Sequence, residues 1–270
     1  MITLKELVQK AYPDYSGIQE LPDIGVSGLE CDSRRVEKDF LFVAIRGKKM
    51  DGGAFIDQAI HRGAAAVVVD EDDRAVRDVL RIRVPECRLA ASKFAAAFYG
   101  EPAKRLSVIG ITGTNGKTTS SYILEHLLRK ENKKAGVIGT VNYRFAGKEY
   151  PAVETTPGPL RLQSMLAEML AAGCTHAVME VSSHALDQDR VADIAFSQAL
   201  FTNLTQDHLD YHGTLDNYFE CKAKLFLGLS KNQTAVLDQG HSWLKSLATL
   251  FPRLKFAAGN PRETQSSPSF

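Results

Sequence analysis

The 270-residue chain lacks any stretch suited to a bilayer: its longest unbroken apolar runs, such as residues 64–69 (AAAVVV), fall far short of the ~18 residues a span needs. No leader is expected either. The opening MITLKELVQKAY mixes charged with apolar residues and has no continuous apolar core before a small-residue cleavage site, so a cytoplasmic address and no membrane partner follow. Cysteine is sparse, with four residues at positions 31, 87, 174 and 221 and no CxxC pair, which argues against a zinc site or disulfide framework and for reduced thiols. Charge of one sign is also missing. With 33 Lys+Arg against 32 Asp+Glu the net charge is +1, so no global field draws nucleic acid, and phosphate recognition must be local. No internal repeat is evident, and 20 Gly and 10 Pro are too few for a collagen-like or disordered chain. Oligomeric state is not readable from the sequence.

What is present is 44% apolar residues, in patterns that alternate strand with helix. Residues 1–86 read as a small mixed domain. LEC, DFLFVAI and AAAVVVD are strand-like, and GGAFIDQAIHRG between the last two has helical spacing. After ASKFAAAFYGEP, an Ala-rich helix stopped by Gly100 and Pro102, the rhythm changes. From residue 87 the boundary gives way to LSVIGIT, SSYILEHLLRK, AGVIGTV, PLRLQSMLAEMLAAG, THAVMEVSS, SQALFTNLT, NYFECKAKLFLGL, TAVLDQ and SWLKSLATL. This order predicts an α/β fold: a mostly parallel sheet covered by helices, with ligands at the carboxyl ends of the strands. The final NPRETQSSPSF abandons the rhythm and reads as a frayed end, and the second domain, 87–270, reads as incomplete.

The strongest chemical signal is residues 112–119, TGTNGKTT, between the strand LSVIGI and an amphipathic helix. Gly113 and Gly116 let backbone approach phosphate oxygens, and the helix N-terminus supplies unpaired N–H groups and a positive dipole. Gly113, Thr114, Asn115, Gly116, Lys117, Thr118 and Thr119 therefore form a candidate ATP loop, with Lys117 reaching the terminal phosphates and the Thr118 hydroxyl on Mg²⁺. The strict G-x-x-x-x-G-K-[ST] spacing fails, because Ile111 stands where the first glycine belongs and Gly110 lies one place early.

The loop, together with DSRRV, DFLFVAIRG, DGGAFIDQAI, ETTPG, MEVSSHALDQDRV and NLTQDHLDYHGTLDNYFECKAKLF, resembles the Mur ligase family of peptidoglycan synthesis, and within it the MurE branch. The resemblance spans nearly all of residues 25–240 and implies a UDP-substrate-binding N-terminal domain and a central ATPase domain, without the family's C-terminal amino-acid-binding domain. It implies ATP-driven addition of a diamino acid, meso-diaminopimelate or L-lysine, to UDP-MurNAc-L-Ala-D-Glu through an acyl phosphate, with Mg²⁺. Glu180 closes a buried strand beside the loop, where a hard oxygen ligand for Mg²⁺ belongs. By resemblance His208 ligates a second Mg²⁺, and Lys222, nine residues after Gly213, carries a CO₂-derived carbamate; Lys224 is its close rival. Resemblance also assigns Thr155, Thr156, Ser182, Gln188 and Arg190 to the muramoyl-peptide and Cys31, Ser33, Lys48, Lys49 and Met50 to the uridine diphosphate. Hydroxyls, an amide and a guanidinium suit sugar and carboxylate groups.

Without its C-terminal domain the chain is expected to be inactive alone. Two alternatives stand beside this reading: a non-catalytic module binding nucleotide or UDP-sugar, and a MurF-type ligase. Folylpolyglutamate synthetase, a relative of the family, is disfavoured by the hundred-residue leader before the loop.

Overall fold

The computed structural model describes residues 2–47, 50–73, 79–230, 233–237, 247 and the backbone of 255–258. The described residues fall into two compact units. One gathers Met1–Leu106, Thr156–Thr175 and His184–Ile194; the other gathers Ser107–Thr155, His176–Ser183 and the described residues from Ala195 onward.

The first unit begins with β1 (Ile2–Thr3) and α1 (Leu4–Ala11), whose first turn is capped where the Thr3 hydroxyl accepts from Glu6 N–H. There follow β2 (Gly25–Val26), β3 (Gly28–Glu30), β4 (Phe40–Val43), α2 (Ile56–His61), β5 (Ala64–Asp70), β6 (Leu80–Val84) and α3 (Cys87–Phe98). β3, β4, β5 and β6 form a wholly parallel four-stranded sheet in that order. The two-residue period of a strand sorts its side chains. Leu41, Val43, Ala66, Val68, Ile82 and Val84 pack on α1 and α3, whereas Phe42, Val67 and Val69 pack with Ile56 and Ala59 of α2.

The expected boundary at residue 86 falls later in the structure. Cys87, Ala90, Ala91, Phe94 and Ala95 of α3 are fully or almost fully buried in the first core, so the Ala-rich helix finishes the sheet that precedes it and the first stretch runs to Leu106.

The second unit carries β7 (Ser107–Thr112), α4 (Lys117–Lys130), β8 (Ala135–Ile138), β9 (Asn142–Phe145) and β10 (Lys148–Pro151); α5 (Pro159–Ala171) belongs to the first. β11 (His176–Glu180), β12 (Phe196–Phe201), α7 (Leu209–His212), α8 (Leu215–Leu227), β13 (Thr234–Leu237) and β14 (Lys255–Ala258) follow, while α6 (Ser183–Asp187) belongs to the first unit from His184 onward. Its eight-stranded sheet has the order β10-β9-β8-β11-β7-β12-β13-β14, parallel from β8 to β14. Leu124 and Leu128 of α4 pack on Ile109, Ile111, Val137 and Val178. Gly110 now has its own explanation. A Cβ there would meet Phe196 at 2.8 Å and Leu225 at 3.0 Å, so it is a packing glycine of β7 and no part of the phosphate loop.

The β9–β10 hairpin goes beyond the sequence pattern, in which the strand-like run AGVIGTV ends at Val141. Its two-residue turn, Ala146-Gly147, takes positive φ at both positions (50° and 76°), the signature of a type I′ turn. Of the helix expected over SWLKSLATL only Leu247 is described; the rest, like the tail expected to fray, lies outside the described residues. Among the described residues no helix is long and apolar enough to cross a membrane.

Candidate functional site

β7 is central in its sheet and delivers its carboxyl end into the glycine loop, which hands over directly to α4. Gly113 has φ 139°, and a Cβ there would stand 1.9 Å from Thr202 Oγ1 and 3.0 Å from the Asn203 backbone, so no other residue fits. Gly116, at φ 84°, caps the helix. The loop is clamped by the segment leaving the neighbouring strand β12. Thr114 N–H donates to Asn203 O (2.9 Å), Asn115 N–H to Asn203 Oδ1 (2.9 Å), and Thr202 Oγ1 to Asn115 O (2.7 Å). In the sequence this segment has no role beyond its motif; its signal is its place after a strand adjacent to β7.

Two lysines meet at one oxygen. Lys117 Nζ donates to Gly113 O (2.9 Å) and Thr114 O (2.7 Å), and Lys222 Nζ donates to the same Gly113 O (2.8 Å). Lys222 is 1% exposed and lies over the Tyr218 ring, 4.4 Å from its centroid, while Lys224 on the next part of α8 is exposed. Burial, reinforced by the charge of Lys117, brings the Lys222 amine down to about 7. Burial also lowers the Lys117 amine, against the opposing pull of Glu180 and Asp207.

Glu180, the last residue of β11, is 1% exposed. Its Oε2 accepts from Thr118 Oγ1 and Thr140 Oγ1, both at 2.9 Å, and its Oε1 from Ser121 Oγ at 3.3 Å. Gly139 makes room for it, since a Cβ there would lie 2.2 Å from Glu180 Oε1. Neither Gly139 nor Thr140 was singled out from the sequence; both follow β8, the other neighbour of β11. Among the described residues no three His, Cys, Asp or Glu side chains converge as a metal cage. The oxygen pair of Glu180 and Thr118 nonetheless fits Mg²⁺, which keeps waters and takes phosphate oxygens for its remaining ligands.

The other expected residues fall as follows. In the second unit, Thr155 Oγ1 stands 3.0 Å from Thr140 Oγ1, and Ser182 follows Glu180 by two positions, just ahead of α6. His208 precedes α7 at φ 51°, half-exposed, with Nε2 3.5 Å from Asp207 Oδ2 and its ring edge-on to Tyr218. His212 is buried instead, against Ser183 Oγ at 3.0 Å. In the first unit, Arg190 donates to Gln188 Oε1 and, at 2.8 Å, to Thr156 O, so these three residues are one cluster. Ser33 is buried and donates to Gln58 Oε1; the Cys31 thiol is pushed up to about 12 by desolvation and by Glu30. Met50 is exposed, and Lys48 and Lys49 lie outside the described residues.

Residues 111–258 match the model of the Mur ligase middle domain, and residues 25–99 that of the Mur ligase family, catalytic domain. A UDP-N-acetylmuramoyl-L-alanyl-D-glutamate--2,6-diaminopimelate ligase of Gloeobacter violaceus is 43% identical over 87% of this chain and 48% of its own length. The Geobacter sulfurreducens protein of the same name is 48% identical over 81% of this chain and 44% of its own. A solved structure of a ligase so named superposes with a TM-score of 0.75 at 28% identity, over 95% of this chain and 52% of that one. MurF from Acinetobacter baumannii shares the fold, with a TM-score of 0.68 at 20% identity. The chain thus spans about half the length of the curated relatives it matches. With a glycine loop, a clamped strand-end carboxylate and both family models in sequence order, the chain belongs to the Mur ligase family.

Proposed function

We propose that these residues supply the nucleotide and muramoyl-dipeptide parts of an ATP-dependent amide ligase that adds diaminopimelate to UDP-MurNAc-L-Ala-D-Glu. One observation carries it: the nitrogens of buried Lys222 and half-buried Lys117 share the carbonyl oxygen of Gly113, a concentration of positive charge that awaits anions. The relatives named above as 2,6-diaminopimelate ligases favour that amino acid over L-lysine.

In this reading the D-glutamyl carboxylate attacks the γ-phosphorus, ADP leaves, and the diamino acid's amine displaces phosphate from the acyl carbon and loses a proton. Lys117 and the loop N–H groups hold the phosphates against the approaching carboxylate, so the work is positioning and charge neutralisation. Glu180 and Thr118 would hold Mg²⁺, which supplies further neutralisation when bound; His208 is assigned to the second ion by resemblance alone. The neutral fraction of Lys222 forms an N–C bond to CO₂ and releases a proton, turning a cation into an anion at the loop. Thr155, Ser182 and the Thr156–Gln188–Arg190 cluster bind the muramoyl dipeptide, and Cys31, Ser33 and Met50, with Lys48 and Lys49, the uridine diphosphate.

The test is titration of labelled Mg-ATP into the chain. Lys117→Ala is expected to weaken binding by about 100-fold, the loss of a charge-assisted contact to phosphate. Equal affinities for the two proteins would remove the loop assignment.

A further inference from the structure

The hydroxyl of Thr140 sits between two groups, 2.9 Å from Glu180 Oε2 and 3.0 Å from Thr155 Oγ1. A threonine hydroxyl owns one proton, and a carboxylate only accepts. The proton of Thr140 is therefore spent on Glu180, and the contact with Thr155 requires Thr155 to be the donor. This fixes a directed chain, Thr155 to Thr140 to Glu180, within the second unit. Thr118 donates to the same Oε2 from the first turn of α4, so the chain ends on the atom that the phosphate loop also grips.

We propose that Thr140 is a positioning residue that couples the ligand state of Thr155 to the orientation of Glu180. The proposal rests on the reading of Glu180 as the acidic group of the nucleotide site. Because Thr155 has given its proton inward, it faces any ligand as an acceptor and selects an N–H or O–H donor, as a peptide amide or a sugar hydroxyl offers. A donor on Thr155 polarises its hydroxyl, strengthens both links and holds the carboxylate more firmly. By reciprocity, nucleotide at Glu180 favours a donor at Thr155.

The experiment is a double-mutant cycle on the chain as it stands, reading Mg-ADP affinity by calorimetry and the unfolding midpoint in parallel. Thr140→Val is expected to weaken Mg-ADP about 10-fold and Thr155→Val about 3-fold, with no further loss when Thr155→Val is added to Thr140→Val. Thr140→Ser keeps the hydroxyl and should stay within about twofold of the parent, which a merely space-filling role would not produce. Equal Thr155→Val losses in both backgrounds, or an affinity left unchanged by Thr140→Val alone, would overturn the coupling. Should the parent chain take up no Mg-ADP, the nucleotide reading fails by itself. The midpoints then decide the hydrogen-bond chain: Thr155→Val must lower the midpoint by about 2 °C with Thr140 present and leave it unmoved in Thr140→Val, and an equal shift in both sinks it.

Discussion

Lys222 brings the site's chemistry down to one nitrogen. Its amine stands at about 7 in the folded chain and ~10.4 in an unfolded one. Below about 7 both forms are protonated and the folded state bears the full cost of a buried cation. As pH rises from there toward ~10 the unfolded chain binds the extra proton, so stability increases over that window. Lys222→Met should therefore flatten the rise of unfolding midpoint with pH between about 7 and 10, and an unchanged slope would mean that the amine is solvated. The same substitution should abolish a carbamate carbonyl signal in ¹³C NMR of chain equilibrated with ¹³C-bicarbonate. In the sequence only the resemblance, through the spacing from Gly213, picks Lys222 over Lys224; in the structure the face of α8 separates them, and helix phase is legible only once the packing partner is known. Thr140 and Gly139 were illegible for a different reason. Their work is defined by a carboxylate some 40 positions away, brought close by strand order rather than by local pattern.

At the level of elements, the strands expected over residues 29–31, 39–45, 64–70, 106–112 and 175–183 all have counterparts, because buried parallel strands read as apolar runs. The β9–β10 hairpin escaped notice since NYRF and KEYP carry polar and charged residues and its turn, Ala-Gly, lacks the usual Asn or Asp. Ala146 occupies the left-handed region at φ 50°, which costs a non-glycine residue ~1 kcal/mol. Ala146→Asn is expected to raise the unfolding midpoint by about 2 °C, where a fall would show that the turn is of another type. Gly113→Ala acts in the opposite sense. With a Cβ 1.9 Å from Thr202 Oγ1, the loop or its clamp must move, and both Mg-nucleotide binding and about 2–3 kcal/mol of stability should be lost in calorimetry.

On the scale of the whole molecule, composition and rhythm located two α/β bodies, but the chain's path through them was hidden. A break in sequence rhythm marks where a new pattern begins; it does not reveal that α3 still owes its apolar face to the earlier sheet. Residues 1–86 made alone should accordingly bind a hydrophobic dye and unfold without a sharp transition, while a cooperative melt would restore the earlier boundary. The first unit is also discontinuous, for it takes α5 and the stretch His184–Ile194 after the second unit has begun. During synthesis its last piece leaves the ribosome only after β7, α4 and β8–β11 have been made. Neither body can be finished and set aside before the other is started. The nascent chain must leave the part of α3 that α5 will cover exposed while the next body forms, a long-range closure that slows folding and leaves apolar surface available to chaperones.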